Sequence, residues 1–100
     1  MTLEHSKFRH SLTVETHDRA VLFCLRGLCE CVEQYPASDI ALADAGVNAW
    51  TTSDGRVTFR FSEARHRSAF LGDATRLLAG KWMRMGLRDD DPAPPPEALT

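Results

Sequence analysis

The sequence predicts a two-layer α+β domain in which two amphipathic helices cover one face of an antiparallel sheet. Three observations lead to this fold class. Residues 8–15 and 56–61 alternate apolar and polar side chains, which is the pattern of half-buried strands. Residues 16–35 and 62–79 instead place apolar side chains three and four residues apart, as amphipathic helices do. The chain has 100 residues, 43% of them hydrophobic, which is enough for one domain with its own core.

The first strand is predicted over residues 8–15, and its alternation divides the side chains between two faces of the sheet. The core face is expected to carry Phe8, His10, Leu12 and Val14. The first helix is expected to begin at Thr16, whose hydroxyl can cap it, with Asp18 in its first turn. It ends before Pro36, which cannot continue a helix.

The buried stripe of this helix is expected to comprise Val21, Cys24, Leu25, Leu28, Val32 and Tyr35. Gly27 lies inside the helix, where glycine costs about 1 kcal/mol relative to alanine. The close approach of another backbone would justify that cost.

Residues 37–46 leave a strand and a short helical turn open as alternatives. Residues 47–61 predict a β-hairpin, because Asp54-Gly55 is a two-residue turn signal in which both positions need a positive φ. Pairing outward from this turn places Trp50 opposite a phenylalanine of the second arm. The core face of that arm is expected to carry Val57, Phe59 and Phe61.

The second helix is expected to begin at Ser62 and to bury Phe70, Ala74, Leu77 and Leu78. Two continuations are possible after it. The helix could run on to Met85 with Gly86 as its cap, or it could end at Gly80 and give way to a strand. The strand is favoured because Met83, Met85 and Leu87 alternate with Trp82, Arg84 and Gly86. It would complete the βαββαβ order of a ferredoxin-like sandwich.

The domain is therefore predicted to span residues 1–88, followed by a disordered acidic and proline-rich tail over residues 89–100. The net charge of −2 argues against a dedicated nucleic-acid-binding protein, and no apolar run approaches the length of a bilayer span. An odd number of cysteines, three, and a polar start favour a cytoplasmic protein with reduced thiols. Abundant alanine, arginine, aspartate and glycine fit a GC-rich bacterial genome.

The candidate binding site follows from the strand alternation. With both helices on one side, the open face of the sheet is expected to collect a basic set with one stacking ring: Arg9, Arg56, Arg60, Trp82 and Arg84. Guanidinium forks beside an aromatic ring suit a carboxylate, a phosphate or a single nucleic-acid strand. Asp89, Asp90 and Asp91 follow the last strand and could fold over this face until a partner displaces them.

An enzyme is the alternative, with a cleft around His10 and a nearby thiol of Cys24 or Cys29. The helical spacing places Cys24 and Cys31 in the buried stripe, two turns apart, too far to share a metal ion. Cys29, at the edge of the stripe, is expected to be the accessible thiol. His66, within "RHR", is expected on a solvated face. The sequence indicates no metal site and no cofactor.

These patterns favour a small cytoplasmic binding or regulatory module. It is expected to form a homodimer, through its open sheet face or an edge strand, and to offer the arginine-rich face to an anionic ligand or protein partner. A weak single-strand nucleic-acid binder is the third possibility, though nucleic acid is an improbable partner for a chain of this charge. No membrane partner is expected.

Overall fold

The computed structural model describes residues 2–34 and 38–93. These form a small α+β fold with three strands and five helices. The elements in chain order are α1 (Thr2–Lys7), β1 (His10–Glu15), α2 (Arg19–Glu33), α3 (Ser38–Ala41), α4 (Val47–Thr52), β2 (Arg56–Phe61), α5 (Ala64–Leu77) and β3 (Met83–Arg88).

The sheet has the order β2-β1-β3, and β1 pairs antiparallel with both neighbours. At its centre Leu12 lies opposite Phe59 on one side and Leu87 on the other. The pairing of β1 with β2 is regular over six residue pairs, whereas the pairing with β3 carries a β-bulge between Thr13 and Val14. The sheet therefore has one regular half and one irregular half.

The core lies between the sheet and the helix layer. Phe70 of α5 places its ring 5.1 Å from that of Phe59 and 5.3 Å from that of Phe61, in tilted contacts that suit aromatic pairs. Leu12 and Val14 are fully buried beside them. The core face predicted for β1 and β2 is thus confirmed, except that His10 is only half buried.

The predicted hairpin is wrong in its first arm, because residues 47–52 form helix α4. Asp54 and Gly55 do have positive φ angles, 57° and 85°, but they connect a helix to β2. The hydroxyls of Thr51 and Thr52 donate to carbonyls one turn back, at 2.8 and 2.9 Å, which satisfies these residues locally within a helix. Trp50 does not pair with Phe59, and its Nε1 donates to the carbonyl of Thr16 at 2.7 Å.

The outer edge of β2 is occupied in another way. The amide of Thr58 donates to the carbonyl of Asp44, which lies in the turn after α3. Residues 38–46, which the sequence left open, thus form a short helix and a turn beside β2. The sheet keeps three strands, and the full ferredoxin-like βαββαβ order is not confirmed.

The alternatives for residues 80–88 resolve in favour of the strand. Helix α5 ends at Leu77, Gly80 has a φ of 75°, and β3 begins at Met83. A left-handed glycine ends the helix and lets the chain reverse. Leu77, predicted to be buried, is 57% exposed at this end of α5.

The buried face of α2 is rotated from the predicted one. It comprises Val21, Leu22, Leu25, Cys29 and Glu33. Cys29 is therefore buried, whereas Cys24 and Cys31 are exposed, the reverse of the prediction. Apolar residues cover most of the circumference of this helix, so periodicity alone did not fix which side faces inward. Tyr35 and Pro36 of the prediction lie outside the described residues.

The predicted cap of α2 is also shifted. Asp18 is the N-cap, and its carboxylate accepts from the amide of Ala20 at 2.9 Å. The hydroxyl of Thr16 instead donates to the carbonyl of Lys81 at 3.0 Å, across the sheet layer. This bond ties the start of α2 to the segment that leads into β3.

Gly55 is the glycine that this fold requires most. A Cβ at this position would lie 2.8 Å from the carbonyl oxygen of Thr16 and 2.9 Å from the ring of His17, in a backbone with a φ of 85°. We expect Gly55→Ala to lower the free energy of unfolding by more than about 2 kcal/mol, because strain and a backbone clash add together. Urea unfolding followed by tryptophan fluorescence measures this.

Gly72 supplies the matched control, since nothing lies within 4 Å of a Cβ there and the residue is in the middle of α5. Gly72→Ala is expected to raise the free energy of unfolding by up to about 1 kcal/mol. Equal effects of the two substitutions would contradict the role assigned to Gly55.

Candidate binding surface at the β3 edge

The most accessible regular element of the protein is β3, all six residues of which are exposed. Three of them are large apolar residues: Met83, Met85 and Leu87, exposed by 57%, 41% and 42%. The alternation that predicted this strand also assigned these three side chains to the core, and that assignment is wrong. Helix α5 contacts β1 and β2, so the helix layer does not extend over β3 to the same degree.

The two edges of the sheet differ. The carbonyl of Asp44 occupies the outer edge of β2 at Thr58, whereas β3 has no strand on its outer side within residues 2–34 and 38–93. An open edge presents backbone N–H and C=O groups that can pair with another chain. β3 is therefore the edge at which the sheet can grow.

The β-bulge interrupts the regular alternation of β3, so side chains an even number of residues apart across it face opposite sides of the sheet. Thr13 pairs with Gly86 and Val14 pairs with Arg84, so Met85 is the extra residue. Residues that lie opposite each other on paired strands share a face. Arg84 therefore lies on the helix side with Val14, and Met83 lies on the open side with Glu15.

A shallow pocket lies on each side of the strand near its start. On the helix side, a pocket of about 300 Å³ is lined by Leu71, Thr75, Ala79, Gly80, Trp82 and Arg84. On the open side, a pocket of about 220 Å³ is lined by Glu15, Thr16, His17, Gly80, Lys81, Trp82 and Met83. The indole of Trp82 stands between them, and its Nε1 donates to the carbonyl of Ala74 at 3.1 Å.

The five residues of the predicted arginine-rich site do not share one face. Trp82 and Arg84 pack toward α5, as their bond and pocket show. Arg56 is on the open face, where its Nε donates to Glu15 at 3.0 Å. Arg9 precedes β1 and lies 3.6 Å from Asp90. The alternation gave the correct face for Arg56, and the bulge reversed the face of Arg84.

Arg60 is enclosed, with only 9% of its surface exposed. Its Nε donates to the carbonyl of Asp91 at 2.8 Å, and its Nη atoms contact the carboxylates of Asp44 and Asp91. Three groups of its own chain thus satisfy this guanidinium. Arg60 is a structural cation in this conformation.

The acidic run after β3 supplies the two contacts of Arg60 with Asp91, and it makes further contacts with Arg67, His10 and the backbone before β1. Asp89 accepts from Arg67 at 2.7 Å and lies 3.3 Å from His10. The amides of Asp91 and Ala93 donate to the carbonyls of Arg9 and Phe8, at 2.9 and 3.1 Å. Residues 89–93, which we call the acidic strap, lie against the start of β1. Disorder of the tail stays a prediction for residues 94–100, which lie outside the described residues.

Two carboxylates on this surface have lowered pKa values. The hydrogen bond from Arg67 holds the pKa of Asp89 below its ordinary 3.8, and the bond to His10 adds to this. The hydrogen bond from Arg56 likewise lowers the pKa of Glu15, with a smaller effect from His17. These anions are therefore ionised over the whole physiological range, and they offset the arginines beside them.

The residues of the enzyme alternative do not come together. The ring of His10 lies next to Asp89, not next to a thiol. Burial raises the pKa of the Cys29 thiol far above its ordinary value, and the negative charges of Glu33 and Glu30 raise it further. A thiol that stays protonated is no nucleophile. Cys24 is exposed on the outer side of α2.

A second polar cluster joins α2 to α5. The buried carboxylate of Glu33 accepts from the amide and hydroxyl of Ser62, at 3.0 and 2.8 Å, and lies 2.9 Å from Nδ1 of His66. His66 is therefore half buried, and the expectation of a solvated face is wrong. A serine triad needs the hydroxyl to face the free ring nitrogen. Here the hydroxyl donates to Glu33, and Nε2 faces Glu63, so the cluster is an interhelical link.

Neither a metal nor a membrane is indicated by the residues that the structure describes. No group of three or more histidine, cysteine, aspartate or glutamate side chains converges there on a possible ion site. None of the helices in this part of the chain combines the length and apolar character that a bilayer crossing needs. No family model, curated protein or solved structure matches the chain.

The enclosure of Arg60 predicts a difference between two arginines of one strand. We expect Arg60→Ala to lower the free energy of unfolding by about 3 kcal/mol, because it leaves carboxylates and a carbonyl without their donor. Arg56→Ala should cost less than about 1 kcal/mol, because its ion pair with Glu15 is exposed. Urea unfolding of both variants decides this, and equal losses would contradict the enclosure of Arg60.

The lowered pKa of Asp89 predicts a pH dependence. The unfolded chain takes up a proton near the ordinary value of 3.8, and the native protein does so only at lower pH. Asp89 therefore makes its full contribution to the free energy of unfolding above pH 3.8, and this contribution is lost as the pH falls below that value. We expect Asp89→Asn to flatten the acid side of a plot of melting temperature against pH. Asp90→Asn is the control, since its contact with Arg9 is long and exposed, and equal curves for both variants would refute the strap contact.

Proposed function

We propose that the protein is a binding module that accepts an extended segment of a partner protein as a fourth strand along β3. The observation that carries this proposal is the full exposure of β3 beside a sheet edge that no described strand occupies. Main-chain hydrogen bonds of such a complex give affinity, and pockets for alternate side chains give specificity. The two pockets near Trp82 supply the second element.

The chemistry of the edge favours an acidic and apolar partner segment. Arg84 and Arg88 are exposed on β3, and neither forms an ion pair with the described part of the chain. The strand itself contains no acidic residue. A segment that alternates glutamate with valine or leucine turns its carboxylates to one face, where they can pair with Arg84 on the helix side or with Arg88 on the open side, and its apolar side chains can cover exposed methionines of β3. This keeps the anionic partner that the strand alternation predicted and moves its site to the edge strand.

The experiment is a titration of the isotope-labelled protein with the peptide acetyl-VEVEVEV-amide, followed by amide shifts in NMR. We expect the shifts to concentrate on residues 80–88. The dissociation constant should increase at high salt, because salt screens the contacts between the arginines and the glutamates. The peptide acetyl-VKVKVKV-amide is the matched control and should bind at least about tenfold more weakly.

Variants of the protein test the same edge from the other side. Arg84→Glu with Arg88→Glu should abolish binding of the acidic peptide, whereas Arg65→Glu, on the exposed surface of α5, should leave it unchanged. Shifts that fall on β2, or acidic and basic peptides that bind equally, would refute the proposal.

Self-association through the sheet is the second candidate, and the exposure of Met83, Met85 and Leu87 favours it. Two copies of β3 paired antiparallel would form a six-stranded sheet. This pairing also brings Arg84 and Arg88 of both copies to one edge without an acidic residue between them, which opposes it. A solution mass that doubles in wild type and returns to that of the monomer in Met83→Lys, but not in Asn48→Lys on the exposed side of α4, would favour this candidate over the first.

A further inference from the structure

The outer side of α2 is unusual for a surface helix. A helix that packs on a core by one face normally carries polar residues on the other. The outward side of α2 instead exposes Phe23, Cys24 and Cys31, with Gly27 among them. A groove beside it, with a volume of about 340 Å³ and an almost wholly apolar lining, is formed by Cys24, Gly27, Leu28, Cys31, Leu77 and Leu78.

Gly27 lies at the centre of this side, and apart from its chain neighbours and the backbone of its own helix no atom of the described residues lies within 4 Å of the position of its missing Cβ. The chain itself thus makes no use of the close approach that a mid-helix glycine permits. A glycine at this place lets a second helix approach more closely than the 8–10 Å or so usual between helix axes. The close approach of a second helix at Gly27 would therefore explain why a residue that destabilises α2 is found there.

We propose that this side of α2 is an interface with a second copy of the chain, in which the two α2 helices pack antiparallel about a twofold axis at Gly27 and Leu28. The sequence spacing is self-complementary about that point. Cys24 and Cys31 are equally distant from it along the helix, so the antiparallel arrangement brings Cys24 of each copy opposite Cys31 of the other. A parallel or displaced pairing would not match the thiols in this way.

Charge complementarity supports the same arrangement. Arg26 and Glu30 lie on one flank of the helix, and the twofold operation brings Glu30 of one copy within about 2 Å, along the axis, of the level of Arg26 of the other. Within a single chain, Nε of Arg26 is buried and has no hydrogen-bond partner among the described residues. Its guanidinium stacks on Phe23, 5.6 Å from the ring centre, which holds it beside the interface. Two symmetric Arg26–Glu30 pairs would give the Nη atoms of this guanidinium a carboxylate partner across the interface.

This interface is independent of the binding edge proposed above. α2 packs on α5 and α3, whereas β3 lies at the edge of the sheet, so a dimer through α2 would carry two open β3 edges. Failure of either proposal leaves the other intact, because one is tested by peptide binding and the other by mass and crosslinking.

The first experiment compares two glycine substitutions by sedimentation equilibrium and thermal unfolding. Gly27→Gln and Gly72→Gln each place a good helix former at a helical site with open space around it, so both should raise the melting temperature at low protein concentration. Only Gly27→Gln should weaken the dimer, by at least about tenfold in dissociation constant, because its side chain separates the helices. A wild type that keeps its monomer mass of 11.2 kDa at every concentration up to the millimolar range would overturn the proposal.

The second experiment maps the pairing by oxidation with diamide, which takes two electrons and two protons from two thiols and leaves one disulfide. Wild type should form a crosslinked dimer on a denaturing gel without reductant. Cys24→Ser and Cys31→Ser should each lose the crosslink when oxidised alone, and an equal mixture of the two variants should regain it. Cys29 stays in every variant and is buried, so it does not interfere. If Cys24→Ser or Cys31→Ser alone crosslinked as well as wild type, the antiparallel arrangement would be refuted.

Discussion

The pairing of β1 with β2, sealed by Phe70, is the interaction on which the rest of the structure depends. Six regular residue pairs join the two strands, and the rings of Phe59 and Phe61 meet Phe70 beneath them. This half of the sheet determines where α5 lies, and α5 in turn positions Trp82 and Arg67. β3 pairs with the opposite side of β1, away from these rings, and its side chains remain exposed.

The arginines of the domain divide into two groups with different roles. Arg60 and Arg67 are largely enclosed and are satisfied by carbonyls and carboxylates of their own chain. These contacts join the acidic strap to β1, β2 and α5, so a run of aspartates that resembles a solvated tail contributes to the fold. Arg84 and Arg88 remain exposed on β3 without such partners in residues 2–34 and 38–93, and they give the open edge a positive charge.

Local patterns predicted the elements that are amphipathic and regular. Alternation identified β1, β2 and β3, because apolar and polar residues alternate in the sequence of each, and the core phenylalanines of β2 followed from it. The pattern did not reveal helix α4 at residues 47–52, because the turn signal at Asp54-Gly55 fixes two φ angles and not the type of element before them. The buried side of α2 was ambiguous for another reason, since apolar residues cover most of its circumference and the charged residues only a narrow sector. The bulge at Met85 depends on pairing with a distant strand, so the faces of Arg84 and Met83 could not be read locally.

The bulge has a consequence for how the protein behaves at high concentration. Fibrils and sheet-to-sheet stacks grow when identical strands repeat an unbroken alternation, so that every added copy fits the previous one in the same way. The extra residue at Met85 breaks that repeat in the middle of the only long exposed apolar strand among the described residues. The molecule can therefore leave a strand edge accessible to a different chain while giving its own copies a poor template for indefinite polymerisation.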